Sequence, residues 1–96
     1  MEIHGHGEFV RWVRRNNVEY YLSNYGCWPM AHNEYVGVDR NGRCYLIERY
    51  PQAEYYIRPI DEREALSSLT FSIYKGEFKR LLEERRRMES DEYCKV

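Results

Sequence analysis

The chain has 96 residues, which is enough for one domain with a modest core and too few for a substrate domain beside a cofactor domain. Its 15 Lys and Arg residues nearly balance 16 Asp and Glu residues, which argues against a protein that holds nucleic acid through a global basic field. No apolar run approaches the roughly 20 residues of a membrane span, and the start has neither the basic head nor the apolar block of a signal peptide. Three widely spaced cysteines do not form a disulfide framework. We therefore expect a single cytoplasmic domain over 1–96 with reduced thiols and no membrane contact.

The first 16 residues predict an arm followed by a helix. Residues 1–7 are expected to be extended, as an arm or a short edge strand. Over 8–16 the apolar side chains recur at helical spacing, which predicts a helix with a basic opposite face. The β-branched and aromatic content would also suit a strand paired with 18–22, so the helix is the preferred of two interpretations. The apolar positions are Phe9, Trp12 and Val13, and the basic positions are Arg11, Arg14 and Arg15.

A second helix is predicted over 17–25. Asn17 suits the N-cap, and Gly26 stands where a glycine commonly ends a helix. Between them the apolar residues follow the i, i+3, i+4, i+7 pattern. An irregular loop then leads to the first strand, because the residue before Pro29 is pushed away from helical dihedrals.

The sequence Asp39-Arg40-Asn41-Gly42 predicts a β-hairpin. A two-residue turn at Asn41-Gly42 would place Arg40 opposite Arg43, and like charges at that position destabilise a ladder. A type I turn that starts at Asp39, with Gly42 left-handed, places Asp39 opposite Arg43 instead, and we prefer this register. One face then carries Val36, Val38, Cys44 and Leu46, and the other carries Tyr35, Tyr45 and Ile47, with Gly37 opposite Tyr45.

Two helices are predicted after the sheet. Asp61 is expected to cap the first, and the Glu64 side chain can reach back to the cap N–H in a capping box. Gly76 is expected to separate this helix from the second. The predicted inward positions are Ala65, Leu66, Leu69 and Ile73 in the first helix, and Phe78, Leu81, Leu82 and Met88 in the second.

These elements predict an α+β domain. Its sheet is a three-stranded antiparallel meander over about 34–39, 43–50 and 54–58. Helical segments 8–16 and 17–25 precede the sheet, helices 61–74 and 77–91 follow it, and residues 92–96 form a frayed tail.

No pattern in the sequence predicts catalysis, and we expect a non-enzyme with no metal and no cofactor. His4-x-His6 could present two imidazoles together, completed by Cys27, His32, Cys44 or Cys94, but the flanking glycines make exposed histidines the simpler interpretation. Gly26-Cys27-Trp28 resembles the nucleophile segment of papain-like proteases, yet the chain is too short for that fold and His32 is too close. Carboxylates such as Glu34, Glu48 and Glu54 show no pattern that would bring two of them together.

The ten tyrosines are the compositional anomaly of the chain. Outward-facing tyrosines supply large contact area at low entropic cost. We therefore expect a protein-binding module, such as an inhibitor, adaptor or regulatory subunit, that uses a tyrosine-rich sheet face and an exposed strand edge. The partner is another protein or, as a special case, a second copy of the chain. The expected contact residues are Tyr35, Tyr45, Tyr55 and Tyr56.

The arginines suggest an alternative function in nucleic-acid binding. A basic helix face with a basic hairpin tip would grip phosphates in the manner of a recognition helix with a wing. The simpler interpretation is that both are solvated surfaces. The residues concerned are Arg11, Arg14, Arg15, Arg40 and Arg43.

Overall fold

A five-stranded antiparallel sheet forms the middle layer of the protein. The computed structural model describes residues 1–24 and 32–94, with side chains for 1–23 and 32–87. The strands are β1 (Glu2–His4), β2 (Glu19–Asn24), β3 (Asn33–Val38), β4 (Cys44–Tyr50) and β5 (Glu54–Ile60), and the helices are α1 (His6–Asn16), α2 (Glu62–Ser68) and α3 (Ser72–Cys94). The strands run in the order β1-β5-β4-β3-β2. The predicted α+β class is confirmed, and the predicted three-stranded meander is present as β3, β4 and β5 within a sheet that has two further strands.

The β3–β4 hairpin has the predicted register. Val38 pairs with Cys44, and the backbone N–H of Asp39 donates to the carbonyl of Arg43 at 3.0 Å. Gly42 has a φ of 80°, which is the left-handed conformation that the turn requires. A Cβ on Gly42 would also lie 2.9 Å from Cγ of Arg86, so the turn and α3 approach too closely for any other residue.

The predicted helix over 17–25 is wrong. Asn17 is left-handed, with a φ of 50°, and ends α1 instead of starting a helix. The chain then forms β2, in which Tyr21 pairs with Val36 of β3. Helical spacing was present in this stretch, but pairing with a distant strand overrides a weak local preference when the residues are β-branched and aromatic. Residue 25 and the loop that follows it lie outside the described residues.

The N-terminal residues form the opposite edge of the sheet. Of the two forms expected for the start of the chain, the structure has the short edge strand: Ile3 of β1 pairs with Tyr55 of β5. Helix α1 begins at His6 and connects the two edge strands, which places it across one sheet face. The helical interpretation of 8–16 is confirmed, and the side chain of Phe9 in α1 is buried against the sheet.

Each face of the sheet has its own buried cluster. Because alternate residues of a strand point to opposite faces, β3 and β4 contribute to both. The α1 face buries Ile3, Phe9, Ile47, Tyr55 and Ile57, and the α2–α3 face buries Val36, Val38, Cys44, Leu46, Ala65, Leu69, Phe78 and Leu82.

The first C-terminal helix begins as predicted, but the second begins at Ser72 and not at residue 77. The Asp61 carboxylate accepts the N–H of Glu64 at 2.7 Å, which confirms the cap, whereas the Glu64 side chain accepts a hydrogen bond from Arg58 and does not complete a capping box. The break falls at residues 69–71, where the Thr70 hydroxyl donates to the carbonyl of Ser23 at 3.0 Å and holds the chain against β2.

Two further predictions for this region are wrong. Gly76 lies inside α3, because an exposed helical glycine costs only about 0.5–1 kcal/mol relative to alanine and the burial of Phe78 and Leu82 outweighs that cost. Ile73, predicted to face inward, is 67% exposed, since the break moves it into the first turn of α3. No helix among the described residues combines the length and the apolar character needed to cross a membrane.

Arg85 links α3 to two places where the chain changes direction, the end of β3 and the α1–β2 turn. It is 7% exposed, and its guanidinium donates to the carbonyls of Val38 at 2.7 Å and Asn17 at 2.5 Å. Glu19 lies 3.8 Å from the same group. The end of β3, the α1–β2 turn and α3 are therefore held by one side chain.

Replacing Arg85 tests this link. We expect Arg85→Ala to lower the free energy of unfolding by about 2–4 kcal/mol, because the buried carbonyl of Val38 and the partly buried carbonyl of Asn17 lose a charged donor. Urea denaturation measures the change. The matched control is Arg87→Ala, an exposed arginine of the same helix, for which a change within about 0.5 kcal/mol is expected. Equal effects of the two substitutions would contradict the role of Arg85.

Candidate functional site

Three of the four tyrosines predicted to contact a partner lie on the α1 face of the sheet. Tyr55 is 1% exposed and stacks on Phe9, with ring centroids 4.0 Å apart. Tyr35 and Tyr45 are half-buried beside the same cluster, and Tyr45 meets Trp12 edge-on at 5.5 Å. Helix α1 covers this face because a sheet face rich in aromatic rings must be buried against another element. Tyr55 therefore serves the core.

Tyr45 also supports the hairpin. Its hydroxyl donates to the Asp39 carboxylate at 2.9 Å. The pKa of Tyr45 is raised, mainly because the ring is partly buried and secondly because of this hydrogen bond. Asp39 is buried and accepts the backbone N–H groups of Asn41 and Arg43 at 2.9 and 3.0 Å. The conformation of the hairpin tip is consequently held by the hydrogen bonds of Asp39.

The five predicted arginines are brought partly together. The backbone N–H of Arg40 donates to the carbonyl of Asn16 at 3.0 Å, and the Arg40 guanidinium donates to the carbonyl of Arg15. The hairpin tip is thereby joined to the last turn of α1. We call Arg11, Arg14, Arg15, Arg40 and Arg43 the basic end; all five are exposed, and none forms an ion pair with the side chains of residues 1–23 and 32–87.

A different surface surrounds β2, the strand at one edge of the sheet. One side of β2 pairs with β3, and its other side pairs with no strand in the part of the chain that the structure describes. Edge strands carry backbone N–H and C=O groups to which a further strand can add. Tyr20 is 42% exposed on this strand. On the α2–α3 side of β2, Phe71 is 39% and Ile73 67% exposed. We call β2 with Tyr20, Phe71 and Ile73 the β2 edge surface.

Ring contacts connect the α2–α3 break to the strand. The Phe71 ring lies 5.6 Å from that of Tyr74, which in turn lies 5.9 Å from Tyr21 of β2. The exposed apolar groups are thus supported by packed rings and belong to the folded body. The sequence prediction missed this surface because it placed 17–25 in a helix and Ile73 in the core.

The other edge of the sheet is less open to a further strand. Strand β1 has three residues, and Pro59 lies in the part of β5 that extends past it. Short strands and prolines are both devices that prevent strand addition.

Among the described side chains, the histidines and cysteines do not form the zinc-ligand set that the sequence analysis considered as the less simple interpretation. His4 lies 3.8 Å from Glu2, whereas Nδ1 of His6 lies 2.8 Å from the Tyr55 hydroxyl, so the two imidazoles have separate neighbours. Cys44 is buried and free. Cys27 and the side chain of Cys94 lie outside the described parts of the chain.

His32 instead lies beside two carboxylates. Glu34 of β3 is directly opposite Glu48 of β4, and Nε2 of His32 is 3.6 Å from Oε1 of Glu34 and 4.0 Å from Oε2 of Glu48. The Tyr50 hydroxyl donates to Glu48 at 2.9 Å, and this bond is the main reason that the pKa of Tyr50 is raised. The expectation that no pattern brings two of these carboxylates together is therefore wrong, because the register that places Val36 opposite Leu46 also places Glu34 opposite Glu48.

Tyr56, the fourth predicted contact residue, lies on the α2–α3 face at this end of the sheet. Its side chain is 36% exposed, and its ring meets that of Tyr50 edge-on at 5.3 Å. It pairs across the strands with Glu48. Of the four predicted tyrosines, Tyr56 is the most accessible.

Comparisons with protein-family models, with curated proteins and with solved structures give no match to this chain. The function is therefore inferred from the geometry of the described residues.

Cys44 is expected to be unreactive in the folded protein. Burial raises the pKa of its thiol from the ordinary 9.0 to about 11, which at pH 8 leaves roughly 100-fold less of the nucleophilic thiolate. Alkylation of a Cys27→Ser/Cys94→Ser variant, with and without urea, measures this difference. Equal alkylation rates in the folded and unfolded states would contradict the burial.

The raised pKa of Cys44 also links the stability of the fold to pH. Because the folded-state pKa lies above the unfolded value, the contribution of the Cys44 thiol to the free energy of unfolding is complete below pH 9 and is lost as the pH rises through about 11.

Proposed function

We propose that the protein is a non-catalytic protein-binding module that recognises another polypeptide through the β2 edge surface. The observation that carries the proposal is the exposure of Ile73 and Phe71 beside an edge strand. Single exposed apolar residues are normal on protein surfaces, but several next to an open strand edge are typical of a contact surface.

The edge strand supplies the means of recognition. An extended segment that adds to a sheet gains main-chain hydrogen bonds, and side chains on alternate positions of the added strand select the sequence. Tyr20 flanks β2 on the α1 face, and the apolar residues of the α2–α3 break flank it on the other face. An added strand would therefore have apolar neighbours on both sides. A second copy of the chain, joined through its own β2, is a special case of the same mode.

Site-specific photo-crosslinking tests the location of the surface. A photoreactive amino acid is placed at position 73, position 20 or position 56 of the full chain, and cells that produce it are irradiated. We expect covalent adducts from positions 73 and 20, identified by mass spectrometry as another protein or a second copy. Position 56 is the matched control, because Tyr56 is about as exposed as Tyr20 but lies away from β2.

Mutagenesis of the captured complex completes this test. Ile73→Asp is expected to weaken the complex by at least about tenfold, since a contact of hot-spot size contributes about 2 kcal/mol or more. Circular dichroism checks that the variant is folded. Adducts from position 56 alone, or none from positions 20 and 73, would contradict the β2 edge surface.

A second candidate function is nucleic-acid binding through the basic end. The specific observation is the attachment of the hairpin tip to α1 by Arg40, which joins two basic segments that are 25 residues apart in the chain. Arg14 and Arg15 also complement the negative end of the α1 dipole, but this explanation does not extend to Arg11, Arg40 and Arg43. Exposed guanidinium groups without carboxylate partners are available to phosphates.

Salt-dependent binding tests the second function. Fluorescence anisotropy with labelled single- and double-stranded oligonucleotides should show binding at low salt. The Arg11→Ala/Arg14→Ala/Arg15→Ala variant is expected to reduce the slope of log K against log salt by about 2–3, since each phosphate contact contributes about 0.7–0.9. The control is Lys79→Ala/Arg80→Ala on exposed positions of α3, with no change in slope. Absence of binding by the parent protein at low salt, or equal slopes for both variants, would contradict this function.

A further inference from the structure

The cluster of His32, Glu34 and Glu48 has the composition of a metal-binding site. One imidazole nitrogen and two carboxylate oxygens lie within 4.8 Å of one another. All three side chains are partly buried, with 22%, 30% and 27% of their surfaces exposed. An imidazole combined with carboxylates is a donor set that zinc and related divalent cations accept.

The distances are close to those of a coordinated ion. Donors about 2.0–2.2 Å from a tetrahedral zinc ion are roughly 3.3–3.6 Å apart. Nε2 of His32 lies 3.6 Å from the Glu34 oxygen and 4.0 Å from the Glu48 oxygen. The two carboxylate oxygens are at most 4.8 Å apart, so side-chain rotations that shorten this separation by up to about 1.5 Å would bring the three donors onto one ion.

The surrounding structure holds the donors in place before any ion binds. The ladder between β3 and β4 fixes the two glutamates directly opposite each other. The His32 ring stacks on Tyr50, with centroids 4.8 Å apart and planes at 9°, and the Tyr50 hydroxyl donates to Glu48. Hydrogen bonds of this kind from outside the ligand set orient ligands in metal sites.

A cleft of about 200 Å³ lies on one side of the cluster. Its described lining includes His32 and Tyr50 but neither glutamate, so it adjoins the cluster through the imidazole and the ring stacked on it. Zinc sites with three protein ligands take water or another donor in the fourth position.

The register of the hairpin imposes a cost that an ion would remove. Like charges directly opposite each other on neighbouring strands destabilise a sheet. Glu34 and Glu48 have this relation, and the Val36–Leu46 pair in the core prevents a slip that would separate them. We propose that His32, Glu34 and Glu48 bind one divalent transition-metal cation of the zinc class, contrary to the expectation from the sequence. Without an ion, direct contact of the His32 ring with the two carboxylates is the competing explanation of the cluster.

Calorimetric titration with zinc chloride distinguishes the two explanations. The full chain carries Cys27→Ser and Cys94→Ser, so that thiols do not contribute, and is treated with chelator and desalted. We expect one zinc ion per chain and a higher melting temperature with zinc than without. His32→Gln and Glu34→Gln/Glu48→Gln should each weaken binding by at least about tenfold, because even the loss of a hydrogen-bond partner outside the ligand set costs 10–100-fold.

Matched controls separate this site from other histidines and acids. His4→Gln removes an exposed histidine that also lies beside a glutamate, and Glu54→Gln removes another carboxylate from the neighbouring strand β5. Both variants are expected to retain zinc binding. The Glu34→Gln/Glu48→Gln variant should be folded without metal, because the like-charge pair is gone, and its circular dichroism checks this.

Three outcomes would overturn the proposal. They are absence of zinc binding by the parent, unchanged binding by the cluster variants, and loss of binding in His4→Gln alone. Magnesium chloride is a further probe, since equal affinity for Mg²⁺ would contradict a site selective for transition metals.

Discussion

The buried guanidinium of Arg85 is the interaction on which the arrangement of the connections depends. It donates to carbonyls at two places where the chain changes direction, at Val38 before the hairpin and at Asn17 after α1. A residue near the end of the described chain thus satisfies main-chain groups from the first half. The basic end is built on the same two connections, because Arg40 bonds to the last turn of α1. Its two segments are therefore bonded to each other and lie next to the carbonyls that Arg85 holds.

The parts of the fold that could be predicted from sequence are those determined by neighbouring residues. Asp39 and Gly42 define the turn and its register, and Asp61 defines the start of α2, because side chain and backbone interact over three or four residues. Strand β2 could not be predicted in this way. Its residues satisfy a helical pattern as well, and the decision comes from β3, whose partner residues lie about 15 positions away.

The candidate sites also combine features that neighbouring residues determine with features that depend on distant parts of the chain. That Glu34 faces Glu48 follows from the register alone, and was available in the sequence, whereas the approach of His32 depends on the path of the chain before β3. The covering of Tyr35, Tyr45 and Tyr55 by α1 depends on a helix that crosses between the two edge strands, and a local pattern does not contain that information. A tyrosine-rich strand therefore identifies aromatic faces without showing which face meets solvent.

The sheet separates two interiors that have no buried residue in common among the described side chains. Ile47 and Leu46 are adjacent in the chain yet belong to different interiors, since neighbouring strand positions point in opposite directions. Distant substitutions usually act independently. Variation on the α1 side can therefore accumulate without disturbing the α2–α3 side, which gives the protein two semi-independent surfaces on which separate binding properties can evolve.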